Sequence, residues 1–159
     1  MLRMSKLTDY ATVIMAYLAR EPQQQRAAAE VAGALQVALP TVSKVLKALS
    51  SAGLVTATRG AKGGYSLAYP PAQISLTEII EAMEGPIGLT ECGSTPGLCT
   101  QEARCAVKLN WQRINRAVLQ ALDGVRLTDM IAPQPKRLKL QMIQIDTSRK
   151  PRVGRAINE

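Results

Sequence analysis

The sequence predicts a mainly α-helical chain with one small β-hairpin: a winged helix-turn-helix module, then a cysteine loop, then a long pairing helix. Three observations carry that expectation. A short alanine-rich helix gives way at Gln36-Val37-Ala38 to a second helix opened by Pro40, a residue suited to the first helical position. Two β-prone runs flank a basic, glycine-rich tip over residues 59–64, which is the signature of a hairpin. Beyond the cysteines, apolar residues recur at steps of four and three from Val107 to Val125, the spacing of a paired-helix seam.

Composition bounds the class. A chain of 159 residues with 47% hydrophobic residues supports one domain, or one compact domain with an arm, and a real core. The formal net charge of +8 and a pI near 9.8 suit a polyanionic partner, although many basic proteins bind no nucleic acid. The N-terminus is amphipathic and interrupted by charges, and no run approaches the roughly 18 apolar residues of a membrane span. A cytoplasmic location is expected.

In chain order, Leu7, Tyr10, Ala11, Ile14, Met15 and Leu18 lie on one face of a first helix, with Thr8 placed to cap its start and Glu21-Pro22 to end it. Asp9 falls in the first turn, where a carboxylate meets the helix dipole favourably. The run QQQR reads as a solvated connection. A helix over 27–35 turns Val31 and Leu35 inward. The helix from Pro40 to about Ala52 sorts into a stripe of Val42, Val45, Leu46 and Leu49 and an outer set of Thr41, Ser43, Lys44 and Lys47. That polar side suits a DNA groove, although an ordinary helical hairpin has the same pattern. The hairpin favours the groove, although Arg59 alone could be a solvated turn residue. Gly53 closes the helix, residues 54–58 and 65–69 form strands, and the glycines of the tip allow close backbone approach while Arg59 and Lys62 offer charge to phosphates or a narrow minor groove. Pro40, Thr41, Ser43, Lys44, Lys47, Arg59 and Lys62 are therefore the candidate DNA-binding set.

All the cysteines, Cys92, Cys99 and Cys105, lie in one polar stretch rich in Gly, Ser, Thr and Pro, which is expected to be neither helix nor strand. Their thiolates suit an iron-sulfur cluster, zinc or copper(I), and three leave a tetrahedral or cubane site one ligand short. Histidine cannot complete it, since the chain has none. Buried inert thiols are the plain alternative, but the segment offers little apolar surface to bury them in. A cysteine-based enzyme lacks a histidine base; a structural zinc clip or a directly thiol-sensing regulator remains open.

After the loop, Val107, Trp111, Ile114, Val118 and Ala121 are the candidate dimerisation residues on a helix from about Arg104 to Leu122, and Leu127, Met130 and Ile131 are expected to extend that seam. The tail from Pro133 carries seven Lys or Arg against one Asp and one Glu and reads as a basic, flexible extension with nonspecific phosphate affinity or no role. The expected boundaries are a winged-helix domain over 1–85, a cluster loop over 86–105, a dimerisation region over 106–132 and the tail over 133–159.

LTDYA at Leu7–Ala11, the helix after Pro40, GLVTATRGAKGGYSLA at Gly53–Ala68, LTEIIEAMEG at Leu76–Gly85 and the cysteine trio resemble the Rrf2 family of winged-helix regulators over about residues 1–131. That family includes the iron-sulfur repressors IscR and NsrR, and LTDYATVIMAYLA with CAVKLNWQRINRA is most similar to regulators of SUF iron-sulfur assembly operons. The resemblance implies a non-enzymatic homodimeric repressor of a pseudo-palindromic operator, holding a 2Fe-2S or 4Fe-4S cluster through Cys92, Cys99 and Cys105. IscR-like members place a histidine three residues after the third cysteine. Here that residue is Lys108, which cannot ligate while protonated. NsrR-like members donate an aspartate from the first helix across the dimer, and the matching residue is Asp9, so an oxygen fourth ligand is implied. The first cysteine spacing is one or two residues wider than in those members.

Overall fold

The computed structural model describes residues 4–60, 63–95, 97 and 99–132. Its elements run α1 (Lys6–Leu18), α2 (Ala28–Leu35), α3 (Leu39–Ser51), β1 (Val55–Thr58), β2 (Gly64–Leu67), α4 (Leu76–Glu84), α5 (Glu91–Ser94), α6 (Lys108–Asp123) and α7 (Leu127–Ile131). The mainly helical fold with one antiparallel hairpin agrees with the sequence. The basic tail lies outside the described residues.

The core is built by α1, α2, α3 and α4. Ile14 and Met15 of α1, Val31 of α2, the full stripe of Val42, Val45, Leu46 and Leu49 on α3, and Ile79 of α4 are buried together. Each such side chain contributes about 1.5–3 kcal/mol of transfer free energy relative to exposure. Because that stripe faces inward, the opposite side of α3 has no alternative but to face out.

Three local details differ from expectation. Thr8 does not cap α1. Ser5 does, accepting from the Thr8 amide at 3.2 Å, while Thr8 is wholly buried and donates its hydroxyl to Glu84 at the end of α4. Glu84 also accepts from the Ser5 amide at 2.7 Å, so one carboxylate ties the start of α1 to the end of α4. The QQQR run is likewise more than a connection. Arg26 forms an antiparallel bridge with Tyr65 through two 2.9 Å backbone bonds, Gln25 donates to the Thr58 hydroxyl at 2.8 Å, and the Arg26 guanidinium pairs with Glu21 and Glu30. A third extended segment thus braces the hairpin.

The third difference concerns the chain after α6. Leu76 donates to the Val125 carbonyl and Leu127 to that of Ile74, both at 2.9 Å, which returns the chain to the start of α4. Leu127 is 1% exposed and belongs to the core, and Ile131 packs against it. Only Met130 of the expected seam extension is exposed. Both backbone bonds draw α7 onto the winged module, where Leu127 and Ile131 find a closed core.

Candidate DNA interface and cysteine loop

The turn between α2 and α3 is made by Gln36 in the left-handed region, with φ 54°, and by the Val37 amide, which donates to the Ala32 carbonyl at 3.1 Å. On the outer side of α3, Pro40, Lys44 and Lys47 are exposed and Thr41 and Ser43 half-buried, with no acidic residue in the helix. The hairpin pairs Val55 with Leu67 through to Thr58 with Gly64. Arg59 is exposed at its tip, and Lys62 lies outside the described residues. Two glycines make the tip possible. A Cβ on Gly63 would sit 2.2 Å from the Thr58 carbonyl oxygen, and one on Gly64 would sit 2.8 Å from that of Arg26. Helix and wing thus leave Lys44, Lys47 and Arg59 free to meet a phosphate backbone while buried residues fix their supports.

In the cysteine segment the expectation of no regular structure needs correcting, because Cys92 lies in the single turn of α5. Cys99 and Cys105 are free and half-buried. Between them the Glu102 carboxylate accepts from the Gly97 amide at 2.6 Å and pairs with the Lys108 ammonium at 2.9 Å. Lys108 first, and the Gly97 amide after it, hold the Glu102 carboxyl below its usual range. Lys108 is thus engaged by Glu102 at the start of α6. α6 begins at Lys108, four residues later than expected.

Asp9 is exposed in the first turn of α1. Among the described residues of this single chain, no three Cys, Asp or Glu side chains converge as a metal site. The donor chemistry nevertheless fits an iron-sulfur cluster: free thiols in a polar loop, no histidine, and carboxylates as the available harder donors.

The face of α6 is split. Val107, Trp111, Ile114 and Ala121 are exposed, Trp111 by 40% and Ile114 by 47%. Leu109, absent from the expected seam, is 73% exposed. Val118 instead lines a cleft of the same chain with Leu122, Ile80, Ile87 and Leu89. The inner face holds a residue that the sequence reading passed over. Asn115 is buried and bonded to the turn before and within α5, and its place one helical turn from Leu119 and two from Leu122 on the inward side was the available signal.

Among the described residues no helix is long and apolar enough to cross a membrane. The family model for Rrf2, described as an iron-dependent transcriptional regulator, matches residues 4–133. A protein of Aquifex aeolicus named as an HTH-type transcriptional regulator is 29% identical over 136 residues, covering 84% of this chain and 94% of that protein. CymR, the global cysteine regulator of B. subtilis, superposes with a TM-score of 0.64 at 30% identity, over 82% of this chain and 97% of that one. IscR of T. potens does so with a TM-score of 0.62 at 25% identity, over 84% and 94%. Family model, relatives, helix-turn-helix and wing agree, and the chain belongs to the Rrf2 family of DNA-binding transcriptional regulators.

Proposed function

We propose that the protein is a homodimeric repressor whose hold on a pseudo-palindromic operator is set by an iron-sulfur cluster on Cys92, Cys99 and Cys105, and that it regulates SUF-like iron-sulfur assembly genes. Asp9 supplies the oxygen ligand, donated from the second copy. One observation carries this reading. The segment with the cysteines is hydrogen-bonded to the first half of α6, and the chain after α6 is bonded back to the start of α4. A change in the loop therefore bears on both the pairing helix and the module that presents α3. Bound there, a cluster supplies iron–thiolate and iron–oxygen bonds that oxidants, nitric oxide or iron shortage can break. In the dimer the exposed apolar residues Val107, just before α6, and Trp111, Ile114 and Ala121 on it pair across the two-fold, and two α3 helices face successive half-sites.

A second reading is favoured by the free, half-buried Cys99 and Cys105 and by the likeness to CymR, a cysteine regulator. In it the thiols themselves sense oxidation and no metal is held. Anaerobic purification, with a visible spectrum and iron, sulfide and zinc analysis of wild type and Asp9→Ala, separates the readings. A brown wild type with stoichiometric iron and sulfide, made labile by Asp9→Ala, supports the cluster and its oxygen ligand. A brown protein indifferent to Asp9→Ala removes that ligand alone. A colourless protein from iron-replete cells removes the cluster: zinc then makes the loop a structural clip, and no metal leaves thiol sensing. A nitric-oxide sensor of the NsrR type would be brown and bleach on nitric oxide without derepression under iron shortage.

A further inference from the structure

Asn115 is the one buried residue of α6, at 5% exposure. Its amide serves three backbone groups of the turn ahead of and within α5. Oδ1 accepts from the Leu89 amide at 3.1 Å, and Nδ2 donates to the carbonyls of Gly93 at 3.0 Å and Ile87 at 3.4 Å. The turn is wound closely around it. A Cβ on Gly88 would lie 2.5 Å from the Ser94 nitrogen, and one on Gly93 would lie 3.4 Å from Asn115 Cγ. Few side chains answer this set. A leucine would leave the three backbone groups without their partner, and an aspartate would set a carboxylate against two carbonyl oxygens.

We propose that Asn115 is a positioning residue for the cysteine loop, holding the Ile87–Gly93 turn, and with it the backbone of Cys92 in α5, against the pairing helix. Displacement of the Ile87–Gly93 turn then reaches the middle of α6 through this amide, while the Glu102 carboxylate ties the Gly97 amide to Lys108 at the start of α6. The functional half of this inference rests on the loop being the switch proposed above; the clamp itself does not.

The test is hydrogen–deuterium exchange by mass spectrometry on the full-length, metal-free protein, comparing wild type, Asn115→Ala and Asn115→Asp. Leu127→Ala, a core variant remote from the turn in sequence, controls for general loss of stability. Peptides over residues 87–95 should exchange about tenfold faster in Asn115→Ala, the effect of losing hydrogen bonds that gate a local opening, with peptides of α1, α2 and α3 unchanged. Asn115→Asp keeps the acceptor for Leu89 but loses both donors, and should also lose protection; it carries the test if Asn115→Ala does not fold. Unchanged protection of residues 87–95, or equal loss in Leu127→Ala, overturns the proposal. On anaerobically reconstituted protein, Asn115→Ala should bleach several-fold faster under a chelator than wild type, and an equal rate removes the link to the cluster. A wild type that takes up no iron refutes the cluster reading and leaves the exchange result to decide on Asn115.

Discussion

Replacing Gly64 by alanine should disable the wing without touching the core. Glycine is required there by contact rather than by dihedral angle. The added Cβ would stand 2.8, 2.9 and 3.0 Å from the carbonyl oxygen, carbonyl carbon and nitrogen of Arg26, all backbone atoms that cannot rotate away. Relief requires the Arg26 segment to leave the hairpin, breaking the two 2.9 Å bonds between Arg26 and Tyr65. Overpacking of this kind costs about 1–3 kcal/mol and a net hydrogen bond about 1 kcal/mol, so a loss of about 2–3 kcal/mol is expected once the two are not double-counted. Gly33 provides the internal control. It lies in α2 with open space around it and no positive φ, so Gly33→Ala should stabilise by roughly 0.5–1 kcal/mol. Urea unfolding of the full-length protein measures both. Affinity for double-stranded DNA across a salt series then reads function: displacing the wing should remove about one phosphate contact through Arg59, lowering the salt slope by roughly 0.9. A Gly64→Ala protein within about 0.5 kcal/mol of wild type and with an unchanged slope would refute the reasoning.

Glu84 predicts a pH effect of defined sign. The Thr8 hydroxyl first, and then the Ser5 amide, hold its carboxyl below the ordinary value of 4.5. Its contribution is therefore fully present above pH 4.5 and is lost as pH falls through the lower, folded-state value. Glu84→Gln should flatten the fall in stability below about pH 5, measured by urea unfolding from pH 7 to pH 3; an unchanged slope there would remove the linkage. Lys44→Ala with Lys47→Ala should lower the DNA salt slope by roughly 2, against none for alanine at Lys6, and equal slopes would place α3 away from the phosphates. Leu127→Ala should cost about 2–5 kcal/mol as a core truncation while leaving sedimentation behaviour unchanged, and a change in oligomeric state at full stability would return Leu127 to the pairing seam.

The sequence alone was enough for the winged-helix architecture because each part announces itself locally. Pro40 falls in the first turn of α3, the stripe of Val42, Val45, Leu46 and Leu49 sets which face is buried, and the glycines between two short β-prone runs permit the chain to reverse into a hairpin. Those signals live within a few residues of one another, and the outward placement of Lys44, Lys47 and Arg59 follows from them. Partners far apart in the chain leave no such mark. Thr8 looked like a cap because capping is local, yet its hydroxyl is spent on Glu84, 76 residues away. Arg26 looked solvated because charge usually is, yet its backbone completes the hairpin.

The cysteine region divides in the same way. Thiols, their spacing and the lack of histidine are written in the sequence, and they exclude an imidazole ligand from this chain; the oxygen donor is implied only by the family resemblance. What the sequence could not order was the rest of α6 and the chain after it. A seam at steps of four and three is satisfied equally by a partner helix or by a protein's own core, and the distinction is made by three-dimensional closure. The backbone bonds from Leu76 to Val125 and from Leu127 to Ile74 draw Leu127 inward, Val118 turns to the cleft beside Ile80, and Trp111 and Ile114 are left facing out. Asn115 shows the limit most plainly. An asparagine in mid-helix is unremarkable by composition, and only folding brings Ile87, Leu89 and Gly93, 22 to 28 residues earlier, within reach of its amide. Local pattern determined the elements and their buried faces, whereas side-chain partners depended on which elements the tertiary fold brought together.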